Sequence, residues 1–419
     1  MRKDKIKFKL VNNLIVVPVE VNGTELSFLL DTGVKSSIIF SLEQRDSITL
    51  GKSKPITLKG LGGGEPIEAL RSEKNKVRLG KAFDNDHSLY VVFGSSLNLS
   101  PRMGIPIHGI IGYEFFKNFV VKVNYAGNRL TFYNPDTYQY RKCRRCVDLD
   151  MGFYADKPYV EISIFNLMDR EQEALLLLDS GSSDAIWLFD TAGYLEEDAS
   201  NYFKDYLGLG LSGDIYGKRS KINKISIGRY DLSNVNVSFP NKMRLHENVF
   251  FEDRDGSLGG DLLRRFTVWI DYQNRSLRLR RNRSFNDPFH YNMSGLTVEH
   301  DGMDVIEETV SKLEGNSSLN NKYNIRGQST DILQDLVKEV RFRLVPNYVV
   351  SAVRPDSPAD RSGILKGDEI IEVNGKVVHK MELYELNTLF TSEEGKKLRF
   401  KLRRNGMEFE VKFELERIL

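Results

Sequence analysis

The sequence predicts a mainly β chain of two repeated lobes followed by a third unit, and three observations predict it. The tripeptide Asp31-Thr32-Gly33 closes the apolar run Leu26-Ser27-Phe28-Leu29-Leu30, and Asp179-Ser180-Gly181 closes Ala174-Leu175-Leu176-Leu177-Leu178. Each tripeptide is followed by a matching block, Gly109-Ile110-Ile111-Gly112 with Asn124-Tyr125 in the first copy and Gly256-Ser257-Leu258-Gly259 with Asp271-Tyr272 in the second. The spacing holds: 179 − 31 is 148, 259 − 112 is 147 and 272 − 125 is 147. Two motifs that keep their offset indicate a duplicated lobe rather than chance tripeptides.

In chain order, the first lobe (6–140) reads as short strands at 6–10, 14–21, 25–31 and 120–132, where β-branched and aromatic residues alternate with polar ones. Gly60-Leu61-Gly62-Gly63-Gly64 falls between two apolar runs and predicts a hairpin with a glycine-rich tip. The second lobe (148–283) repeats the pattern with strands at 159–165, 173–179, 222–227 and 266–279. Gly208-Leu209-Gly210-Leu211-Ser212-Gly213 lies at a place similar to the first glycine run. A phosphate-cradling loop is the competing reading of such glycines, but neither a GK[ST] nor a following helix supports it. The third unit (288–419) opens at Met293-Ser294-Gly295-Leu296-Thr297. It carries an insertion near 302–340, read as two helical stretches around a polar segment, and a helix over 381–390.

A chain of 419 residues suits about three domains. With 40% hydrophobic and 28% charged residues it has core material enough, and disorder is not expected. Basic and acidic residues nearly cancel, 60 against 58, so no overall field draws it to nucleic acid or an anionic membrane. No apolar run approaches the ~20 residues of a spanning helix. The N-terminus is positive but leads into strand-like alternation rather than a secretory h-region. The expected protein is therefore soluble, and either cytoplasmic or exported, for example to the periplasm, with its signal removed. The only cysteines, Cys143 and Cys146, lack a second ligand pair for zinc and read as a local disulfide or two idle thiols. Neither a metal nor an organic cofactor is implied.

Two Asp residues on tight turns can face one another across a pseudo-twofold axis when the lobes form the halves of a cleft. Adjacent carboxylates do not both ionise easily, so the pair shares a proton. One member can then take a proton from water while the other donates to a scissile carbonyl. Thr32 and Ser180 supply hydroxyls for cross-lobe hydrogen bonds, and Gly33 and Gly181 permit close backbone approach.

On these residues the chain resembles the pepsin-like and retropepsin-like aspartic proteases, whose sites are built from two Asp-[Thr/Ser]-Gly turns. Ile110-Ile111-Gly112 and the less regular Ser257-Leu258-Gly259 match the second motif that the family carries in each lobe. The resemblance covers most of residues 6–283. It implies bilobal β-barrel halves, water-mediated endopeptidase chemistry with Asp31 and Asp179 as the catalytic pair, and a flap containing Gly62 and Gly63. Pepsin-like turns often continue with a supporting serine; Ser182 fills that place in the second lobe, whereas the first has Val34. Losing that donor predicts a less acidic optimum than pepsin's.

The third unit resembles a PDZ domain of the bacterial type through Ser357-Pro358-Ala359, Gly363, Gly367-Asp368 and Asn374-Gly375. Such domains add an extended peptide as a strand and hold its carboxylate on backbone amides. The expected carboxylate loop is Ser294-Gly295-Leu296-Thr297, and the expected partners are a peptide or protein substrate and a protein C-terminus. Two other readings stand beside the peptidase: a catalytically silent peptide-binding or scaffold protein on a protease fold, and a half-site that completes itself by dimerisation. Two dissimilar lobes in one chain favour a monomer.

Overall fold

In the computed structural model, residues 2–40, 48–58, 66–93, 97–166, 169–189, 201–210, 213–241, 253–313 and 336–419 are described. The chain is mainly β. Two eight-stranded sheets have the same strand order, as the motif spacing predicts. In the first, Lys9–Val11, Leu14–Val21, Thr24–Leu30, Gly109–Ile111, Ser37–Ile39, Ala82–Val92, Ile67–Leu79 and Lys52–Leu58 lie side by side. In the second the order is Gly152–Tyr154, Lys157–Phe165, Glu171–Leu178, Gly256–Leu258, Ile186–Leu188, Tyr230–Pro240, Gly213–Ile227 and Tyr202–Gly210.

The two sheets agree in register as well as order. Val16 pairs with Leu29 in the first and Tyr159 with Leu177 in the second. The preceding hairpins turn on residues with left-handed φ, Asn12-Asn13 (48° and 67°) and Ala155-Asp156 (49° and 65°). A third, six-stranded sheet joins the halves, with Val120–Asn124 of the first lobe paired to Phe266–Asp271 of the second. The apolar faces of all three sheets form one continuous core, from Val19 and Leu26 through Val121 and Phe132 to Ile162, Leu176 and Leu277.

Two strands expected as single runs are broken. Residues 120–132 divide at Tyr125–Gly127, and residues 266–279 divide between Asp271 and Ser276. Asn128 and Arg275 take left-handed φ values of 47° and 50° there, and the chain reverses into a hairpin. The link between lobes is closed by a Cys143–Cys146 disulfide.

The C-terminal unit has its own sheet, ordered Leu296–Leu313, Leu336–Val353, Glu369–Val373, Lys397–Arg404 and Met407–Glu414. It also has a separate core around Tyr348, Val350, Leu386, Phe390 and Phe400. The helical reading of 302–340 is overturned where that segment is described: 302–313 and 336–340 are paired antiparallel strands. The ladder begun at Leu296–His300 continues through them after a register shift between His300 and Met303, and this extension of an existing ladder outweighs local helix propensity. The helix expected at 381–390 spans Leu383–Phe390, with a capping box between Glu382 and Glu385 that fixes its start. The small-residue motif has structural reasons. Ser357 caps the short helix Pro358–Arg361, buried Asp368 accepts two hydrogen bonds from Arg404, and Asn374-Gly375 forms a turn with φ of 51° and 81°.

This unit packs on both lobes. Arg102 donates to Glu299 at 2.9 Å and stacks 4.2 Å from the ring centre of Tyr206. Tyr384 packs into the first lobe's apolar cluster, and Tyr291 donates to the carbonyls of Ser220 and Val237. Among the described residues, no helix is long and apolar enough to cross a membrane.

Candidate active site

The turn after each apolar strand is fixed by a hydrogen bond to the neighbouring strand. Asp31 N donates to Ile111 O and Asp179 N to Leu258 O, both at 2.9 Å. The glycines of the second motif are required by crowding. A Cβ on Gly112 would lie 2.5 Å from Val34 O, and one on Gly259 2.3 Å from Asp184 O. Each turn therefore wedges against a glycine one strand away, which explains why the two motifs keep their spacing.

The turns then lock to each other. Thr32 Oγ1 donates to Leu178 O at 2.6 Å and accepts from Ser180 N at 3.0 Å; Ser180 Oγ donates to Leu30 O at 2.8 Å and accepts from Thr32 N at 3.1 Å. Four bonds related by a pseudo-twofold axis thus join the lobes through buried groups. They bring Asp31 and Asp179 together. The Gly33 amide donates to Asp31 Oδ1 at 2.7 Å, and the Gly181 amide to Asp179 Oδ1 at 3.1 Å. A Cβ on Gly33 would lie 3.1 Å from Asp179 Oδ1 and 3.2 Å from Asp31 Oδ1, so both carboxylates border one small space. A Cβ on Gly181 would lie 2.2 Å from Asp31 Oδ2, so only glycine fits there. Tyr272 adds a further bond across the lobes, its hydroxyl donating to Thr32 O at 3.3 Å.

Burial dominates the electrostatics. It raises Asp31 from its ordinary value to about 8, with the Asp179 charge adding to the rise and the Gly33 amide opposing it. Asp179 is also raised, first by burial, while Arg254, the Gly181 amide, Lys157 and the Ser182 amide pull it down. Burial thus pushes both carboxyls toward the protonated form, and carboxylates this close titrate as a pair rather than singly.

A stability prediction follows. The folded Asp31 binds a proton that the unfolded chain, with a carboxyl near 3.8, has released. The folded state therefore carries the extra proton between about pH 4 and 8, and stability falls as pH rises across that window, by at most about 1.4 kcal/mol per pH unit from this group. Melting temperatures taken at pH 5 and pH 8 should fall more for wild type than for Asp31→Asn. Equal falls would show that Asp31 is not protonated in the folded state.

Lys157 and Arg254, which the motifs did not single out, both act on Asp179 through their charge. The Lys157 ammonium is depressed first by burial, then by the Arg254 charge, while Asp179 and Asp31 hold it up. Arg254 is buried, donates to Gly256 O at 2.8 Å and Ser257 Oγ at 2.5 Å, and stacks 4.8 Å from the centre of the Phe189 ring. The repeat offset carried a signal for it, because 254 − 147 is 107 and the first lobe has the apolar Ile107 there.

The remaining sequence-derived residues are placed as follows. Ser182 reaches Asp179 through its backbone amide; among the described residues its hydroxyl makes no hydrogen bond to that carboxylate. Val34 packs against Gly112, and its carbonyl accepts from Tyr113 N at 3.1 Å. Gly62 and Gly63 lie outside the described residues. In the Ser294–Thr297 loop, three amides already have internal acceptors. Ser294 N and Gly295 N donate to Asn292 Oδ1 at 3.0 and 3.1 Å, and Leu296 N donates to Ser294 Oγ at 3.0 Å. A cavity of about 900 Å³ lies beside this loop, between Gly295–Thr297, Arg354 and the second-lobe residues Phe189, Tyr216 and Phe239. No group of three or more acidic, histidine or cysteine side chains suited to a metal occurs among the described residues.

Residues 17–115 match a family model described as aspartyl protease, and residues 349–404 match a PDZ domain. Among solved structures, the aspartic proteinase from Irpex lacteus aligns at 13% identity with a TM-score of 0.44, over 68% of this chain and 99% of that one. The chain is thus similar to the aspartyl proteases in its N-terminal part and carries a PDZ domain at its C-terminal end.

Proposed function

We propose that the protein is an aspartic-type endopeptidase in which Asp31 and Asp179 share one proton and activate a water between them. The observation that carries the reading is the reciprocal Thr32/Ser180 lock, which holds both carboxylates against Gly33 and Gly181. An ionised member takes a proton from the water as it attacks the scissile carbonyl, and the protonated member donates to the developing oxyanion. The proton then passes to the leaving amine, and no covalent intermediate forms. Because burial raises both carboxyls, the singly protonated state persists to near neutral pH, with the alkaline limit of activity near the Asp31 value of about 8. The optimum therefore lies above pepsin's, in keeping with Val34 in the first turn. Two complementary lobes in one chain make the protein active as a monomer.

The PDZ domain supplies peptide recognition. Its sheet offers the Leu296–Leu313 edge strand for pairing. A C-terminal carboxylate reaches the loop amides once the Asn292 side chain, which now accepts from two of them, swings out.

The test is digestion of an unbiased peptide mixture from pH 3 to 8, with cleavage sites read by mass spectrometry. Internal cleavage with a maximum above about pH 4 is expected. No cleavage at any pH, together with no thermal stabilisation by a peptide mimic bearing a central hydroxyl, would favour the silent peptide-binding protein instead.

A further inference from the structure

Among the described residues, the strand Leu296–Leu313 has one ladder neighbour, Leu336–Val353, so its other edge is the one to which a peptide strand would add. The helix Leu383–Phe390 lies along that strand. Its last residue, Phe390, accepts from Met293 N beside the Ser294–Thr297 loop. Its start lies at the far end, where Tyr348, the ladder partner of His300, donates to Met381 O at 3.0 Å. Strand edge and helix thus bound a groove that runs from the loop toward Glu299 and Leu383. The loop end borders the cavity of about 900 Å³. The far end is covered by the first lobe.

The cover is the short helix Ser100–Met103 and the glycine that ends it, Gly104, whose φ of 68° is left-handed. Gly104 presses on the PDZ domain: a Cβ there would lie 2.4 Å from Leu383 Cβ. Arg102 Nε donates to Glu299 Oε1 at 2.9 Å. Asn387 Nδ2, one helical turn on from Leu383, donates to Asn12 Oδ1 at 3.1 Å, and Tyr384 packs into the apolar cluster of Met103 and Ile107. The first lobe therefore touches both walls of the groove, the strand through Glu299 and the helix through Leu383, Tyr384 and Asn387. Glu299 stands three residues on from Leu296, about 10 Å of extended chain, so a peptide held by its carboxylate at the loop meets Arg102 at about its fourth residue from the end.

Arg102 also reaches the second lobe. Its guanidinium stacks on Tyr206, and its Nη1 lies 3.6 Å from Asp214 Oδ1, enclosed without a hydrogen bond. Tyr206 and Asp214 belong to the hairpin of Tyr202–Gly210 and Gly213–Ile227. That hairpin stands in the second sheet where Lys52–Leu58 and Ile67–Leu79 stand in the first. One side chain thus ties three parts of the chain together, and it is still 35% exposed. Ion pairs of such exposure are weak, so this one can yield to a ligand that pairs along the whole edge.

We propose that residues 100–104 are a built-in plug of the peptide groove. A C-terminal peptide longer than about three residues then binds only when the PDZ domain parts from the first lobe, and that parting also frees the second-lobe hairpin. This rests on the PDZ reading of the groove and not on the peptidase reading.

The test uses the full chain carrying Asp31→Asn, so that probes stay uncut, alone and combined with Arg102→Glu or Arg102→Lys. A pool of acetylated random hexapeptides with free C-termini is offered to each chain. Captured sequences are read by mass spectrometry against an amidated pool, and the tightest binder is titrated calorimetrically. Apparent affinity is the intrinsic affinity multiplied by the undocked fraction, and Arg102→Glu sets like charges against Glu299. Hexapeptide binding should therefore tighten by about 5-fold or more with Arg102→Glu and stay within about 2-fold with Arg102→Lys, while the C-terminal tripeptide of the same sequence should bind all three chains alike. Hydrogen exchange at saturating hexapeptide should quicken at residues 97–107 and 202–210. Quickening at 97–107 alone would keep the plug and overturn the coupling to the second lobe. Equal hexapeptide affinity in the parent and Arg102→Glu, or exchange unchanged in both segments, would overturn the plug. No capture by any of the chains would overturn the PDZ reading, and the plug with it.

Discussion

Asp31→Asn and Asp179→Asn should each lower kcat/KM for peptide cleavage by about 10³-fold or more, and the double variant should be little worse than either single one. The magnitude follows from general acid–base catalysis, which contributes roughly 10² to 10⁴-fold per positioned group. The lack of additivity follows from the geometry. Both carboxylates border the space beside Gly33, so an amide at either position removes the shared proton and leaves the partner as a lone acid or a lone base. The Asn side chain keeps the volume and can still accept from the Gly33 or Gly181 amide, so the fold should survive. Steady-state kinetics on a peptide found in the mixture digest, with circular dichroism to confirm folding, makes the comparison. A single variant that keeps more than a tenth of wild-type activity would mean that the two carboxylates do not form one site.

The second large effect is on stability. Thr32→Val keeps the shape of the side chain but removes the hydroxyl, leaving Leu178 O without its donor and Ser180 N without its acceptor. Both groups lie in the buried lock, where an unsatisfied partner costs about 1 to 3 kcal/mol, so a loss of roughly 2 to 4 kcal/mol is expected. Ser180→Ala should cost a similar amount, since it strands Leu30 O and Thr32 N. The two residues share partners across the lobes, so the double variant should show a coupling of at least about 0.5 kcal/mol. Ser163→Ala, which removes an exposed bond to Glu173, is the control and should change little. Urea unfolding measures all four variants against wild type. A Thr32→Val variant within 0.5 kcal/mol of wild type would show that the lock is not what holds the lobes together.

Much of the architecture was legible in the sequence because it depends on local patterns. Apolar runs of five or so residues ending in Asp-Thr-Gly or Asp-Ser-Gly state a buried strand and a turn, and a constant offset of 147 to 148 residues states a duplication. Where local pattern misled, a longer-range partner or an unrecognised turn was responsible. Residues 302–313 read as helical but pair with 336–346 as strand, because a ladder begun at Leu296–His300 continues through them. Residues 120–132 and 266–279 read as unbroken strands, but Asn128 and Arg275 adopt left-handed backbone and turn the chain back on itself. Arg254 passed unnoticed because it reads as a surface charge in an acidic stretch. Only its position opposite Ile107 marks it as a buried cation in an otherwise apolar place.

The sequence by itself determined that there are two similar lobes, that each carries a carboxylate on a glycine turn after a buried strand, and that a further unit with PDZ motifs follows. Tertiary structure alone decided that Thr32 and Ser180 bond reciprocally, that Asp31 and Asp179 border one space, and that the charges of Lys157 and Arg254 act on Asp179. It also decided that the Ser294, Gly295 and Leu296 amides are taken up by Asn292 and Ser294. The division has a physical cause. Strand, turn and repeat are set by side-chain periodicity over a few neighbours, whereas the charge state of a carboxylate is set by burial and by groups more than a hundred residues away in the chain.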